Sequence, residues 1–239
     1  MRGLIKYFLI IFFIANASSQ DKLFTIIDPD QTGIHFSNDL IDTKENNVFL
    51  YANFYGGAGV GVGDFDNDGL DDLFFAGNLV ADKIYKNLGN LKFQDKTSNS
   101  GIINDSSWST GVTVADVNND GLLDIYVSCE LYDDQPKLRT NKLYINKGNF
   151  KFDELAAKWN VDVDRRTRHA VFFDYNKDGL LDLYLLNHPP NTGNFSPFLG
   201  TDMKLPEYNL QLFENKEGFF EDVTAKAGLD RSGFPNAAV

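Results

Sequence analysis

The sequence predicts an all-β protein built from repeated four-stranded blades, a β-propeller architecture, and three observations predict it. First, the nine-residue run Asp64-Phe65-Asp66-Asn67-Asp68-Gly69-Leu70-Asp71-Asp72 recurs from Asp116 to Asp124 and from Asp174 to Asp182. Second, the three runs begin 52 and 58 residues apart, a period suited to a propeller or solenoid unit. Third, β-branched and aromatic segments flank each run: Val60-Gly61-Val62, Val112-Thr113-Val114 and Ala170-Val171-Phe172 before it, with Leu73 to Phe75, Ile125 to Val127 and Leu183 to Leu185 after it. Such segments read as strands, so each run sits in a hairpin.

The chemistry of the runs is that of a hard cation. Oxygen-bearing side chains occupy positions 1, 3, 5 and 9: Asp64, Asp66, Asp68 and Asp72; Asp116, Asn118, Asp120 and Asp124; Asp174, Asn176, Asp178 and Asp182. Position 7 offers a backbone carbonyl from Leu70, Leu122 or Leu180, and the glycine at position 6 permits the left-handed bend that a short wrapping loop needs. Calcium is therefore the expected cofactor, with about three sites. An EF-hand would place a bidentate Glu at position 12 and continue into a helix, whereas Phe75, Val127 and Leu185 stand there. With four carboxylates, the first loop is expected to bind most tightly.

A second aromatic hairpin follows each loop, at Ile84 to Gly89 with Phe93, Leu143 to Gly148 with Phe152, and Leu212 to Asn215 with Phe220. Two hairpins make one four-stranded blade. Repeats are expected over about 51–102, 108–161 and 168–229, with Phe234 to Val239 opening a further blade. Residues 18–50 form an N-terminal segment that could supply the closing outer strand of the last blade. Insertions fall between the hairpins at Glu130 to Thr140 and Pro189 to Glu207; the longer one is a candidate ligand-contacting loop.

Composition narrows the function classes. The 239 residues carry a net charge of −12, which argues against a nucleic-acid partner, because phosphates need clustered Lys and Arg. Residues 1–17 read as a signal peptide with Arg2 and Lys6, an apolar stretch from Tyr7 to Ala15 and a small-residue cleavage site at Ala15-Asn16-Ala17. The expected location is extracytoplasmic, at the cell surface, in the periplasm or secreted, with no membrane span after cleavage. The one cysteine, Cys129, is expected to be a buried structural thiol.

No catalytic constellation is apparent. His35, His169 and His188 are too scattered in sequence for a zinc site, and His169 reads as a packing residue at a blade's inner edge, where it could also face a central channel. Gly59, Gly61 and Gly63 are followed by neither a helix signal nor a lysine, so close strand packing is expected rather than a phosphate loop. A carboxylate pair for glycoside hydrolysis fits poorly with ligands that recur periodically.

The run Gly59 to Gly69, with Trp108 to Asp116 and His169 to Asp174, resembles the FG-GAP/VCBS repeat proteins, the calcium-loop propellers that include integrin α-subunit heads. More narrowly, it resembles the cartilage acidic protein and ASPIC/UnbV group of exported proteins. The resemblance implies a seven- or eight-bladed propeller with calcium in the blade loops and an extracellular binding role. The expected function is a noncatalytic adhesion module for a protein or glycan partner; the alternative is the propeller portion of a larger extracellular enzyme acting on polysaccharide.

Overall fold

A computed structural model describes residues 23–51, 53–131, 136–188 and 210–229. The expected signal peptide, the Pro189 to Glu207 insertion and the start of a further blade lie outside these residues. The described chain forms three antiparallel four-stranded sheets, each with its strands in sequence order. The first contains β1 (Val60–Gly63), β2 (Asp72–Phe75), β3 (Lys83–Asn87) and β4 (Phe93–Asp95). The second contains β5 (Ser109–Ala115), β6 (Asp124–Cys129), β7 (Lys142–Asn146) and β8 (Phe152–Glu154), and the third β9 (Arg166–Phe173), β10 (Asp182–His188), β11 (Gln211–Asn215) and β12 (Phe220–Asp222). Two single-turn helices, Pro29–Thr32 and Pro136–Arg139, complete the described elements.

The core lies between the sheets. On β6 every side chain is buried, because successive residues point to opposite faces and both faces are covered. Ile125, Val127 and Cys129 join Phe65, Phe74 and Ile84 of the first sheet, whereas Tyr126 joins Leu183, Leu185 and Phe213 of the third. Cys129 is fully buried, as expected, and burial pushes its thiol up to about 12. Backbone links reinforce the stacking: Phe152 N donates to Ser100 O at 2.7 Å and Phe220 N to Trp159 O at 2.9 Å.

Close packing of the inner strands explains the glycines there. A Cβ on Gly61 would fall 2.6 Å from Val112 Cγ1, and one on Gly63 would fall 2.8 Å from Leu123 Cδ1. A Cβ on Gly59 would fall 2.8 Å from the backbone nitrogen of Val112 on β5, so the packing reading of Gly59, Gly61 and Gly63 holds.

The described part of the N-terminal segment lies against the first sheet. Residues 23–50 contain no strand and are pinned to the first sheet through side chains instead. Phe36 stacks on Phe75 at 5.1 Å, and Asn38 and Asn78 exchange two 2.8 Å hydrogen bonds. A helical turn forms at Pro29–Thr32, since Asp28 caps it by accepting from Asp30 N and proline at its first position favours the turn.

Candidate metal centre

Each acidic loop joins the first two strands of its sheet, and the three are wired alike. The position-1 carboxylate accepts from the backbone of positions 5 and 6: Asp64 from Asp68 N and Gly69 N at 3.0 and 2.7 Å, Asp116 from Asp120 N and Gly121 N at 3.1 and 2.8 Å, Asp174 from Asp178 N and Gly179 N at 3.1 and 3.0 Å. The position-5 carboxylates of Asp68, Asp120 and Asp178 each accept from the leucine two residues on. Gly69, Gly121 and Gly179 have φ of 88°, 84° and 89°, the conformation anticipated for position 6.

The position-9 aspartates are buried at the base of the loops and hold them shut. Asp72 accepts from Phe65 N at 2.9 Å and from Asn87 N at 2.7 Å; Asp124 accepts from Val117 N and Asn146 N, and Asp182 from Tyr175 N and Asn215 N. Burial pushes the Asp72 carboxyl up to about 6 and Asp124 up to about 7, and Asp182 shifts the same way. Neighbouring loop carboxylates push in the same direction: Asp66 on Asp72, Asp120 and Asp116 on Asp124, Asp178 and Asp174 on Asp182. Crowded, desolvated carboxylates of this kind are relieved by an added cation.

The first loop fits such an ion on its own geometry. Asp64, Asp66 and Asp72 each offer an oxygen, all within 4.8 Å of one another, and Asp66 Oδ1 is buried without a hydrogen-bond partner. An oxygen donor set suits calcium. Asp68 lies outside this triple. In the other loops Asn118 and Asn176 take the place of Asp66, and each amide nitrogen donates to the position-5 carboxylate at 2.9 Å.

Counting carboxylates misses a residue from the neighbouring strand. Lys86, on β3, places its ammonium against Asp66 and, at 2.5 Å, against Asp68. Burial alone would lower its pKa, but the two carboxylates outweigh it and push Lys86 up to about 12. The corresponding residues are Ile145 on β7 and Glu214 on β11. Glu214 accepts from Asn176 Nδ2 at 3.1 Å and pairs with Lys216. The loops therefore share a backbone and differ in the charge laid across them.

Sequence reasoning also missed the role of Asn87, Asn146 and Asn215, which it placed only at the second hairpin's turn. Each does accept from the turn, from Gly89 N, Gly148 N and Glu217 N. Their amide nitrogens reach the acidic loops as well: Asn87 donates to Asp71 O, Asn146 to Leu123 O and Asn215 to Leu181 O, at 2.8 to 3.0 Å. Asn146 and Asn215 further donate to Phe65 O and Val117 O in the preceding loop. The asparagine at the same place in all three repeats was the available signal.

At the opposite ends of the inner strands lies a cleft of about 350 Å³, lined by Gly56 to Val60, Thr110 to Val112, Arg168 and His169. His169 packs at Gly111, where an added Cβ would fall 2.9 Å from its Nδ1, so the histidine both packs and faces the cleft. His35 is exposed near Asp30, and His188 is buried opposite Arg166 at the end of β10; the three histidines do not converge.

Three stacked antiparallel sheets, each with an oxygen-rich loop in its first hairpin, define a protein of propeller-type blades. Residues 64–127, from the first loop into β6, match the FG-GAP-like repeat family. The chain is 26% identical to cartilage acidic protein 1 of Xenopus tropicalis over 179 residues, covering 74% of this chain and 27% of that protein. It thus spans about a quarter of that relative's length. The resemblance to FG-GAP repeat proteins and the cartilage acidic protein group, first carried by the loop residues, is supported by both matches. Among the described residues no helix is long and apolar enough to cross a membrane.

Proposed function

We propose that the chain is an exported, noncatalytic calcium-binding propeller module that presents a surface to an extracellular protein or glycan. The observation that carries this reading is the threefold repetition of one loop wiring. Catalysis needs one asymmetric constellation, whereas structural metal sites recur with the fold. Calcium would be held by Asp64, Asp66 and Asp72 in the first loop, with Asp68 and the Leu70 carbonyl available, and by the matching residues of the other two loops. The ion would supply positive charge among carboxylates that otherwise repel, tying each inner hairpin shut. The match of residues 64–127 to the FG-GAP-like repeat family supports the extracellular setting, where millimolar calcium is at hand.

The test is a binding screen of the full-length protein against extracellular protein extracts and a glycan array, with and without calcium, alongside an assay for polysaccharide breakdown. Calcium-dependent binding without turnover is expected. Turnover that maps to this chain would replace the reading with the enzyme alternative.

A further inference from the structure

The third strand of each sheet carries a different charge at one repeat position, the residue just before the asparagine that reaches the acidic loop. Lys86 precedes Asn87, Ile145 precedes Asn146 and Glu214 precedes Asn215. Glu214 is buried, and two residues of the third loop hold its carboxylate. Its Oε1 accepts from Asn176 Nδ2 at 3.1 Å and its Oε2 from the Tyr175 hydroxyl at 3.4 Å. Phe65 and Val117 stand where Tyr175 does, so the earlier loops lack that hydroxyl.

Glu214 is paired with Lys216 at 2.5 Å and with Lys226 at 4.0 Å. Those lysines do not separate the blades, because Lys147 and Lys158 occupy the same two repeat positions in the second. The exchange of Ile145 for Glu214 therefore adds a negative charge that neither lysine position cancels. Lys177, at position 4 of the third loop, is exposed. Its counterparts Asn67 and Asn119 reach away from their own loops, donating to Gly121 O and Gly179 O of the next at 3.1 and 3.5 Å.

Glu214 acts on position 3 of the loop. Asn176 Oδ1 accepts from Asp178 N at 3.0 Å, while Nδ2 donates to both Asp178 and Glu214. Asn118, in the second loop, accepts in the same way, but among the described residues its nitrogen donates to Asp120 alone. An amide nitrogen only donates, so a second carboxylate on it fixes which end of Asn176 turns into the loop. That end is the oxygen, the one able to hold a cation. Outer partners that orient a ligand in this way are typically worth about 10- to 100-fold in metal affinity.

We propose that Glu214 is a positioning residue for calcium in the third loop, and that the series Lys86, Ile145, Glu214 orders the three sites so that the third fills first and the first last. The proposal rests on the calcium reading above and adds to it a sequence of filling set by one residue of each third strand.

The experiment titrates terbium, which takes oxygen ligands as calcium does, into calcium-depleted full-length protein and then displaces it with calcium. Tyr175 is the one tyrosine within the three loops, so the terbium emission that is lost in Tyr175→Phe reports the third site. Calorimetry with calcium follows all three. The third site is expected to be the tightest. Glu214→Ile, which copies the second blade, should weaken it at least about tenfold. Glu214→Gln, which keeps an acceptor for Asn176 without the charge, should fall between, and its near-identical shape keeps the test alive if Glu214→Ile misfolds. Affinities at the other two loops should hold, which a general loss of structure would not allow. A third site no tighter than the second, or unchanged in Glu214→Gln, overturns the proposal while calcium binding at the loops leaves the module reading standing. Absence of both terbium emission and calcium heat overturns the two together.

Discussion

The side-chain amide of Asn146 donates to the backbone carbonyl of Phe65, 2.9 Å away and one sheet back. The same nitrogen donates to Leu123 O in its own sheet, while Asn146 N donates to Asp124. One asparagine therefore ties two acidic loops together. Asn146→Ala leaves two carbonyls in a closed interface without a donor and is expected to cost about 2 to 4 kcal/mol in chemical denaturation. Calcium affinity should fall at the first and second loops together. Asn87→Ala, whose amide reaches only its own loop at Asp71 O, should weaken the first loop alone. Equal effects from both variants would contradict the bridging role.

Calcium should stabilise the fold in proportion to the sites filled. With extracellular-type affinities, a few millimolar calcium adds about 1 to 2 kcal/mol per site. Thermal melts in chelator and in excess calcium are expected to separate clearly. Coincident melts, together with no heat of binding in calorimetry, would remove the metal from all three loops.

Lys86 should reverse the ranking that carboxylate counting gives. Its ammonium sits on Asp66 and Asp68, so a calcium ion entering the first loop must displace or tolerate a like charge. Lys86→Met is expected to tighten that site roughly tenfold, the scale of one nearby like charge removed from a partly buried site. Calorimetry should then show the first loop weakest in the native protein and strengthened in the variant. A native first loop that is already the tightest would show that Lys86 swings clear.

Asp82 provides a pH test away from the loops. It is buried, accepting from Gly77 N at 2.9 Å and from the Ser109 hydroxyl at 3.1 Å, and burial pushes it up to about 6 despite Lys142 nearby. Because the folded state holds its proton more tightly than the unfolded state, Asp82 favours folding most below pH 4, and this contribution is lost as pH rises through 6. The shift corresponds to about 3 kcal/mol. The stability of Asp82→Asn relative to the native protein, measured in saturating calcium, should therefore rise between pH 4 and 7 and then level off. A flat difference would place the Asp82 pKa near its ordinary value.

The sequence by itself determined the unit and its chemistry. Loop residues 1, 3, 5, 6, 7 and 9 follow one another closely, so Asp64 to Asp72 and its two repeats were legible as oxygen-rich loops, and their flanking residues as strands. Periodicity likewise marked the second hairpins. What depended on residues far apart in the chain was decided only by the tertiary structure. Lys86 reaches the first loop because β3 lies beside β2, and Asn146 reaches Phe65 across 81 positions because sheets stack face to face. The cleft needs Gly56, Gly111 and Arg168 from three separate repeats, brought together by the packing of one sheet against the next. Local spacing encodes what one turn of chain can hold, whereas charge and shape between sheets arise from packing, which no single segment contains.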